Sequence, residues 1–372
     1  MSRFKFENKT ILILSQQDWG INMLSKHLYA KELSKNNNVY FIFTIPQKHQ
    51  TEKVIIKTLS STLHLVYLKK KVVGVTRLPS FIIDIQTKII IKEILATLKI
   101  KQPDIVWSFE QSRFQNLKQF KAKYSIFHPV DYILQAKQFL PKIANSANIV
   151  LSVSEKILDS IQTSTPKYFI NHGVDESFFS KTKLTSPPPF IKKDKTNVGY
   201  VGNLQMKFID WKNLIKTVEE NATLNFIFIG PHSNSNLGGK IEHAELIKLK
   251  SLKNTHFTGA MDKKSLIEIL SFFDVFLLCY DHIKFPIEVS NSHKILEYLS
   301  TGKVVVSNFI STYKNSDLLE MIDDNEKFSQ KLKEVTSQLE FYNSPKKTKQ
   351  RITFAKQNSY KKLLQAIEEK LS

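Results

Sequence analysis

The chain has 372 residues, 42% hydrophobic and 24% charged, which is too long for one comfortable core and too apolar for a disordered chain. A single cysteine, Cys279, excludes an internal disulfide framework and a cysteine-built metal site, and fits a reducing compartment. Fifty-four basic residues face 34 acidic ones, a net charge of +20, which suits nucleic acid, an anionic membrane face or phosphorylated small molecules, or else a surface simply coated with lysine.

The charge is spread out: the first 180 residues hold 25 basic and 13 acidic ones. The apolar run Ile11 to Leu14 is too short for a signal peptide. Ser265 to Ile283, interrupted by Glu268 and Asp274, falls short of the roughly 20 apolar residues a span needs. A cytoplasmic protein is expected.

Short apolar runs alternate with amphipathic stretches, the pattern of a parallel sheet covered by helices. Thr10 to Ser15 reads as a buried strand, Asn22 to Ser34 as a helix, Val39 to Thr44 and His64 to Leu68 as strands. Phe81 to Leu98 reads as a long helix with Ile82, Ile85, Ile89 and Leu98 on one side. Strands follow at Pro103 to Ser108, Tyr124 to Phe127 and Ile149 to Val153.

The proline-rich, basic run Thr182 to Lys195 breaks this rhythm and reads as a linker. Strands then resume at Asn197 to Val201, Phe226 to Gly230, Thr255 to Thr258, Val275 to Cys279 and Val304 to Ser307. Helices are expected at Trp211 to Glu219, Lys263 to Phe272 and His293 to Leu299, and the tail from Asn325 onward reads as charged helix. The expected organisation is an N-terminal Rossmann-like domain over 1–183, a linker over 184–195, a C-terminal Rossmann-like domain over 196–345, and a helix over 346–372 packing back on the first domain. Such sheets bind ligands at the carboxyl ends of their strands.

The most informative stretch is SNSHKILEYLSTGKVVVS, Ser290 to Ser307. A polar turn ending at Ser292 opens a helix at His293, and the free amides and positive dipole there suit a phosphate. Lys294 sits in the first turn, where a cation is disfavoured unless an anion joins it. Glu297 could accept hydrogen bonds from a ribose diol, and Gly302 ends the helix as a left-handed cap. An ordinary amphipathic helix before a strand would look similar.

HKILEYLSTGKVVVS closely resembles the donor-binding helix of GT-B glycosyltransferases, above all the large retaining group called family 4. That group carries (P/S)-x-K-x-x-E-Y-L-A-x-G-K-P-V-V. The matches are Lys294, Glu297, Tyr298, Leu299, Gly302, Lys303 and Val305, with Val304 standing where proline is usual. In order along the chain, Ser146 to Ile157, Asn171 to Phe179 (NHGVDESFF), Val198 to Leu204 (VGYVGNL), Phe226 to Pro231 and Asn254 to Leu278 also resemble segments of that group. The likeness runs from about Ile11 to Ser307, most clearly in the C-terminal half. Asp210 after the GNL turn, together with Trp19, is similar to the teichuronic-acid-type branch.

The resemblance implies a GT-B architecture, α/β with two Rossmann-like domains facing across a cleft. It also implies transfer of a sugar from a nucleoside diphosphate sugar to a hydroxyl acceptor, with retention. Lys294 would contact the pyrophosphate and Glu297 the ribose, with Ser292 and His293 at the helix start. The Gly202–Asn203 turn would approach the diphosphate; Asn203 stands where many members have arginine, and Lys207 or Lys212 would compensate. Retaining members keep an acidic residue eight positions before the ribose glutamate. Here that position is Val289, and Glu288 is one place off. His128, after a strand, would reach toward the sugar as donor or base; the other reading is a structural loop histidine. Trp19, Gly20 and Asp131 would line the acceptor side, with Glu110 a weaker candidate.

No cofactor or metal is expected, since Lys294 and the helix dipole would do a metal's work. The expected partners are the nucleotide sugar and a glycan or lipid-linked acceptor. The basic run Tyr67 to Lys71, with Arg77, Lys88 and Lys92 flanking the helix at Phe81 to Leu98, allows peripheral contact with an anionic membrane; solvated lysines on a packed helix are the alternative. Rival readings are a nucleotide-sugar 2-epimerase, a catalytically silent subunit of a glycan assembly complex, and a nucleic-acid binder. For the last there is no base-reading helix, aromatic-basic repeat or zinc spacing, so no specific nucleic acid is expected.

Overall fold

The computed structural model describes residues 4–20, 23–44, 47–180, 184, 186–232 and 244–372. The chain divides into two compact units, one of residues 1–171 with 360–372 and one of residues 172–359.

In the first unit, β1 (Thr10–Ser15), β2 (Asn38–Phe43), β3 (Val54–Ser60), β4 (Leu63–Leu68), β5 (Ile105–Ser108), β6 (Tyr124–Phe127), β7 (Ile149–Ser152) and β8 (Lys167–Phe169) form one sheet. Its order is β3-β4-β2-β1-β5-β6-β7-β8. Neighbours run parallel except β3, which pairs antiparallel with β4 at the edge. The continuous apolar runs reflect burial: Ile11 to Leu14 of β1 have no exposed surface. The crossovers include α1 (Ser25–Leu33), α2 (Ser80–Thr97), α3 (Leu140–Asn145) and α4 (Glu155–Asp159).

The second unit holds β9 (Asn197–Val201), β10 (Asn225–Ile229), β11 (Thr255–Gly259), β12 (Val275–Leu278), β13 (Val304–Asn308) and β14 (Glu320–Ile322). All are parallel, in the order β11-β10-β9-β12-β13-β14. This is the doubly wound order of a Rossmann sheet, whose direction of winding reverses between β9 and β12. Its helices are α5 (Trp211–Glu220), α6 (Ala244–Ser251), α7 (Lys263–Leu270), α8 (His293–Ser300), α9 (Phe328–Ser337), α10 (Leu339–Tyr342) and α11 (Pro345–Gln357).

The units divide elsewhere than the expected boundaries. Residues 172–180 belong with the second unit. The described part of the expected linker packs there too: Ile191 lies in its core, and Asn225 donates to the Phe190 carbonyl at 2.8 Å. The C-terminal tail splits. Arg351 of α11 is buried and donates to the carbonyls of Tyr342 (2.9 Å) and Gly302 (3.1 Å), so α11 stays with α8. Only α12 (Tyr360–Leu371) joins the first unit, adding Tyr360, Leu363, Leu364 and Ile367 to its core.

Strands β3, β8 and β14 lie outside the expected set. The residues of β3 after Val54 are largely exposed, so it lacks the apolar run of an inner strand, and β8 and β14 span three residues each. Of the apolar stripe Ile82, Ile85, Ile89 and Leu98, only Leu98, just past the end of α2, is buried. The buried residues of α2 are Ile83, Thr87, Ile90, Ile91 and Ile94, while Ile85 and Ile89 face outward. The helix is apolar on both sides, and the sheet takes the wider stripe.

Candidate functional site

The carboxyl ends of β9 and β12 flank the reversal point of the second sheet, and the candidate residues of that unit gather there. β9 is pinned by Tyr298 of α8, whose hydroxyl accepts from the Val201 amide (2.8 Å) and donates to the Val201 carbonyl (3.2 Å). The chain then turns at Gly202 with φ 153°, a conformation that favours glycine. A methyl group at Gly202 would collide with the end of the Lys294 side chain, its nitrogen 2.7 Å away. Lys294 therefore lies across the bare face of this turn. Gly230, which follows β10, has φ 142°, and a methyl there would strike the Gly202 carbonyl. The two turns fit only as glycines.

Lys294 is 5% exposed. Its ammonium donates to Tyr280 Oη at 2.9 Å and lies 3.7 Å from Met206 Sδ. The rings of Tyr280 and Tyr200 sit 5.5 and 5.8 Å from it. Among the described residues it forms no ion pair. A buried ammonium is ordinarily matched by an anion, and one phenol with two π faces compensates only in part.

The start of α8 adds donors. The Ser292 amide donates to Asn291 Oδ1 (2.8 Å) and the Ile295 amide to the Ser292 carbonyl (3.1 Å). Those of His293 and Lys294 have no acceptor among the described residues, and the Ser292 side chain makes no cap bond. These two amides are open among the described residues, and open amides at a helix N-terminus suit a phosphate. At the other end of the helix Gly302 adopts φ 78°, as a left-handed cap requires.

One turn further on, burial raises the Glu297 carboxyl to about 7, against the pull of Lys294 and Lys263 and with the push of Asp175. Asp175 pairs with Lys263 at 2.6 Å. Burial alone would raise Asp175, but hydrogen bonds from Lys263 and Ser177 hold it below the usual carboxylate range. The NHGVDESFF stretch thereby comes beside α8. His172 stands edge-on to His293 with ring centres 6.0 Å apart, and burial lowers the His172 ring to about 4, keeping it neutral.

Val289, at the eight-residue spacing, is buried in the hydrophobic core, which leaves Glu288 as the available carboxylate. Lys207 Nζ is 3.9 Å from Glu288 Oε1, so the pair is loose. The Asn203 side-chain oxygen accepts from the Gln205 amide at 2.8 Å and is spent on the turn. Lys212 is committed outward to Glu326, at 3.1 Å. Asp210 caps α5 through the Asn213 amide.

In the first unit, His128 follows β6 and is fully buried, stacked on Phe109 (5.0 Å) and Trp107 (5.9 Å). Trp19 follows β1 and stands edge-on to Phe41 (5.1 Å) and His27 (5.3 Å). His27 is lowered to about 4 by burial; its Nδ1 accepts from the Leu24 amide and its Nε2 donates to the Asp18 carbonyl, both at 2.9 Å. A methyl at Gly20 would meet only Asp18, so no close packing requires glycine there. Asp131 is exposed, with its carbonyl accepting from Gln111 at 2.9 Å. Glu110 departs from its candidate role. It is fully buried and saturated by Arg113, Ser112 and Gln16, which makes it a structural anchor.

Three participants lie outside the sequence motif. Tyr280, which fixes Lys294, is the second residue after β12, a strand-end position the sheet rule could have flagged. The Asp175–Lys263 pair joins segments far apart in sequence, and nothing local announces it. Lys26 of α1 is buried, its ammonium lowered by that burial and partly restored by Asp131 and Glu110.

No known family profile matches the chain, and no curated protein matches it. Solved structures do. An E. coli trehalose-6-phosphate protein bound with UDP-2-fluoro glucose superposes with a TM-score of 0.72 at 10% identity, covering 97% of this chain and 98% of that one. Sucrose-phosphate synthase from Thermosynechococcus elongatus gives 0.69 at 11% identity, covering 98% of both chains. Anabaena HepE in complex with UDP and glucose gives 0.65 at 13% identity, covering 98% and 99%. At these identities the likeness establishes the fold: mixed α/β with two parallel sheets, the GT-B fold of glycosyltransferases.

Proposed function

We propose that the protein is a glycosyltransferase that takes a sugar from a nucleoside diphosphate sugar and passes it to a hydroxyl acceptor. The observation that carries this reading is Lys294: a buried ammonium with no ion pair among the described residues, laid across Gly202 at the reversal point of a Rossmann sheet, on the helix whose first two amides are open. No described residue supplies an anion there, and the arrangement suits one. A diphosphate fits it, and its charge grows as the sugar departs, which is where fixed donors accelerate reaction.

In this assignment Lys294 and the amides of His293 and Lys294 hold the diphosphate, and Gly202 admits it. Glu297, as carboxylate, accepts from the ribose diol. Glu288 is assigned to the donor sugar. The acceptor is assigned to the carboxyl ends of the first sheet, with His128, Asp131 and the Trp19–Gly20 loop. The reaction is proposed to proceed with retention and without a metal, and a glycan or lipid-linked hydroxyl as acceptor suits the teichuronic-acid-type likeness.

Two of the structural neighbours were solved with UDP ligands, which makes uridine nucleotides the first to try. The test is a thermal-shift panel of UDP, GDP, ADP and their sugars. A hundredfold excess over the dissociation constant stabilises by about 2.7 kcal/mol, a readily measured shift. One nucleotide should stabilise wild type and fail to stabilise Glu297→Ala. No shift from any of them would overturn the reading.

A further inference from the structure

The outer side of α2 carries large apolar residues that nothing described covers. Phe81 is 64% exposed, Ile85 56% and Ile89 43%. Their spacing of four places them on one face, opposite the buried stripe of Ile83, Thr87, Ile90, Ile91 and Ile94. The preceding segment extends the patch. Gln86 holds both backbone groups of Val73 (3.0 and 3.1 Å), so Val73, 67% exposed, stands against the helix. Leu78, also exposed, lies at the helix entrance.

The charges around this patch have one sign. The two carboxylates of α2 are already taken, Asp84 by Lys142 (2.8 Å) and Glu93 by Lys53 (3.1 Å). Lys88 and Lys92 project from the same face as Phe81 and Ile85, and Lys70, Lys71 and Arg77 flank Val73 and Leu78. None of these five cations forms an ion pair among the described residues. No described helix is long and apolar enough to cross a membrane; an apolar helix face rimmed by cations is the pattern of helices that lie in a membrane interface.

We infer that the outer face of α2, with the 70–78 segment, docks on an anionic lipid surface, inserting Phe81, Ile85, Ile89 and Val73 while the five cations meet the headgroups. The occupant follows from charge complementarity. A second copy of the chain, at net +20, would bring more positive charge to an already positive rim, whereas an anionic leaflet offers both the apolar layer and the countercharge. The inference does not rest on the sugar-transfer reading; either stands if the other falls.

The test is sedimentation of the full chain with vesicles of phosphatidylcholine alone and with 30% phosphatidylglycerol, a composition of about that order serving as the anionic probe. Phe81→Ser/Ile85→Ser/Ile89→Ser removes the apolar contact, and Lys88→Gln/Lys92→Gln removes two charges. All five positions are surface ones, and an unchanged melting temperature verifies the fold. Binding is expected to anionic vesicles only. It should fall roughly 30-fold in the double lysine variant and at least tenfold in the triple apolar variant, and it should weaken with salt. Three results would overturn the inference: no binding to anionic vesicles, binding untouched by the apolar substitutions, or a concentration-dependent dimer that the apolar substitutions dissolve.

Discussion

Lys294→Met separates a ligand site from a structural cation because the two roles predict opposite signs. Methionine keeps most of the lysine stem against Gly202 and deletes the ammonium. In the unliganded protein this loses one hydrogen bond, to Tyr280, worth about 1 kcal/mol. Against that, it removes a buried cation that has no ion-pair partner among the described residues, whose desolvation costs several kcal/mol. The free variant should therefore melt within about 2 °C of wild type or higher, a kcal/mol being worth roughly 2–4 °C in a domain of this size. With nucleotide the result inverts. A charge-assisted contact contributes about 1.5–3 kcal/mol, so the dissociation constant should rise roughly 10- to 150-fold. The assay is differential scanning fluorimetry with and without nucleoside diphosphate, followed by calorimetric titration. A free variant that melts many degrees lower, with nucleotide affinity intact, would refute the reasoning and make Lys294 a structural residue.

Other predictions follow from the same geometry. Gly230→Ala should cost more stability than Gly202→Ala, because its methyl meets a backbone carbonyl while the other meets the movable end of Lys294; both adopt glycine-favouring φ, and chemical denaturation of each variant ranks them. Gly202→Ala should instead lose nucleotide affinity by displacing Lys294, which titration of the folded variant reads directly. For Glu297, a folded pKa near 7 exceeds the unfolded carboxylate value, so stability is lost as pH rises through that range. Glu297→Gln should gain in melting temperature over wild type between pH 5 and 8, and a difference independent of pH would contradict the assignment. Glu110→Gln should destabilise by about 3–5 kcal/mol, measured by urea unfolding, because Arg113 loses its buried partner.

How much of this was legible in the sequence varies by element. Five of the six strands of the second sheet are readable in the sequence, since β9, β10, β12 and β13 are buried on both faces and appear as apolar runs; β14, three partly buried residues, is not. The helix from His293 is readable because its polar start, Lys294 and Glu297 lie within about one turn of each other and Gly302 closes it. Strand β3 was not, because an exposed edge strand carries no periodic signal. The packed side of α2 is not selected by spacing, because isoleucines occur all round it. Tyr280 and the Asp175–Lys263 pair were missed because they reach α8 through tertiary structure. Glu110 looked available at a strand end, yet only the fold brings Arg113, Ser112 and Gln16 onto it. The GT-B fold itself was anticipated; the boundary between the units was not, because the proline run looks like a linker but its following residues pack into the second core.

The most direct test of the central claim is turnover. The full chain would be incubated with a panel of sugar nucleotides and a lipid and glycan extract as acceptor source, and the nucleotides separated by anion exchange. The account predicts release of free nucleoside diphosphate from one sugar nucleotide, abolished or greatly slowed in Lys294→Met. Sugar nucleotides that bind yet return intact would contradict it, and would mark the protein as a binding subunit.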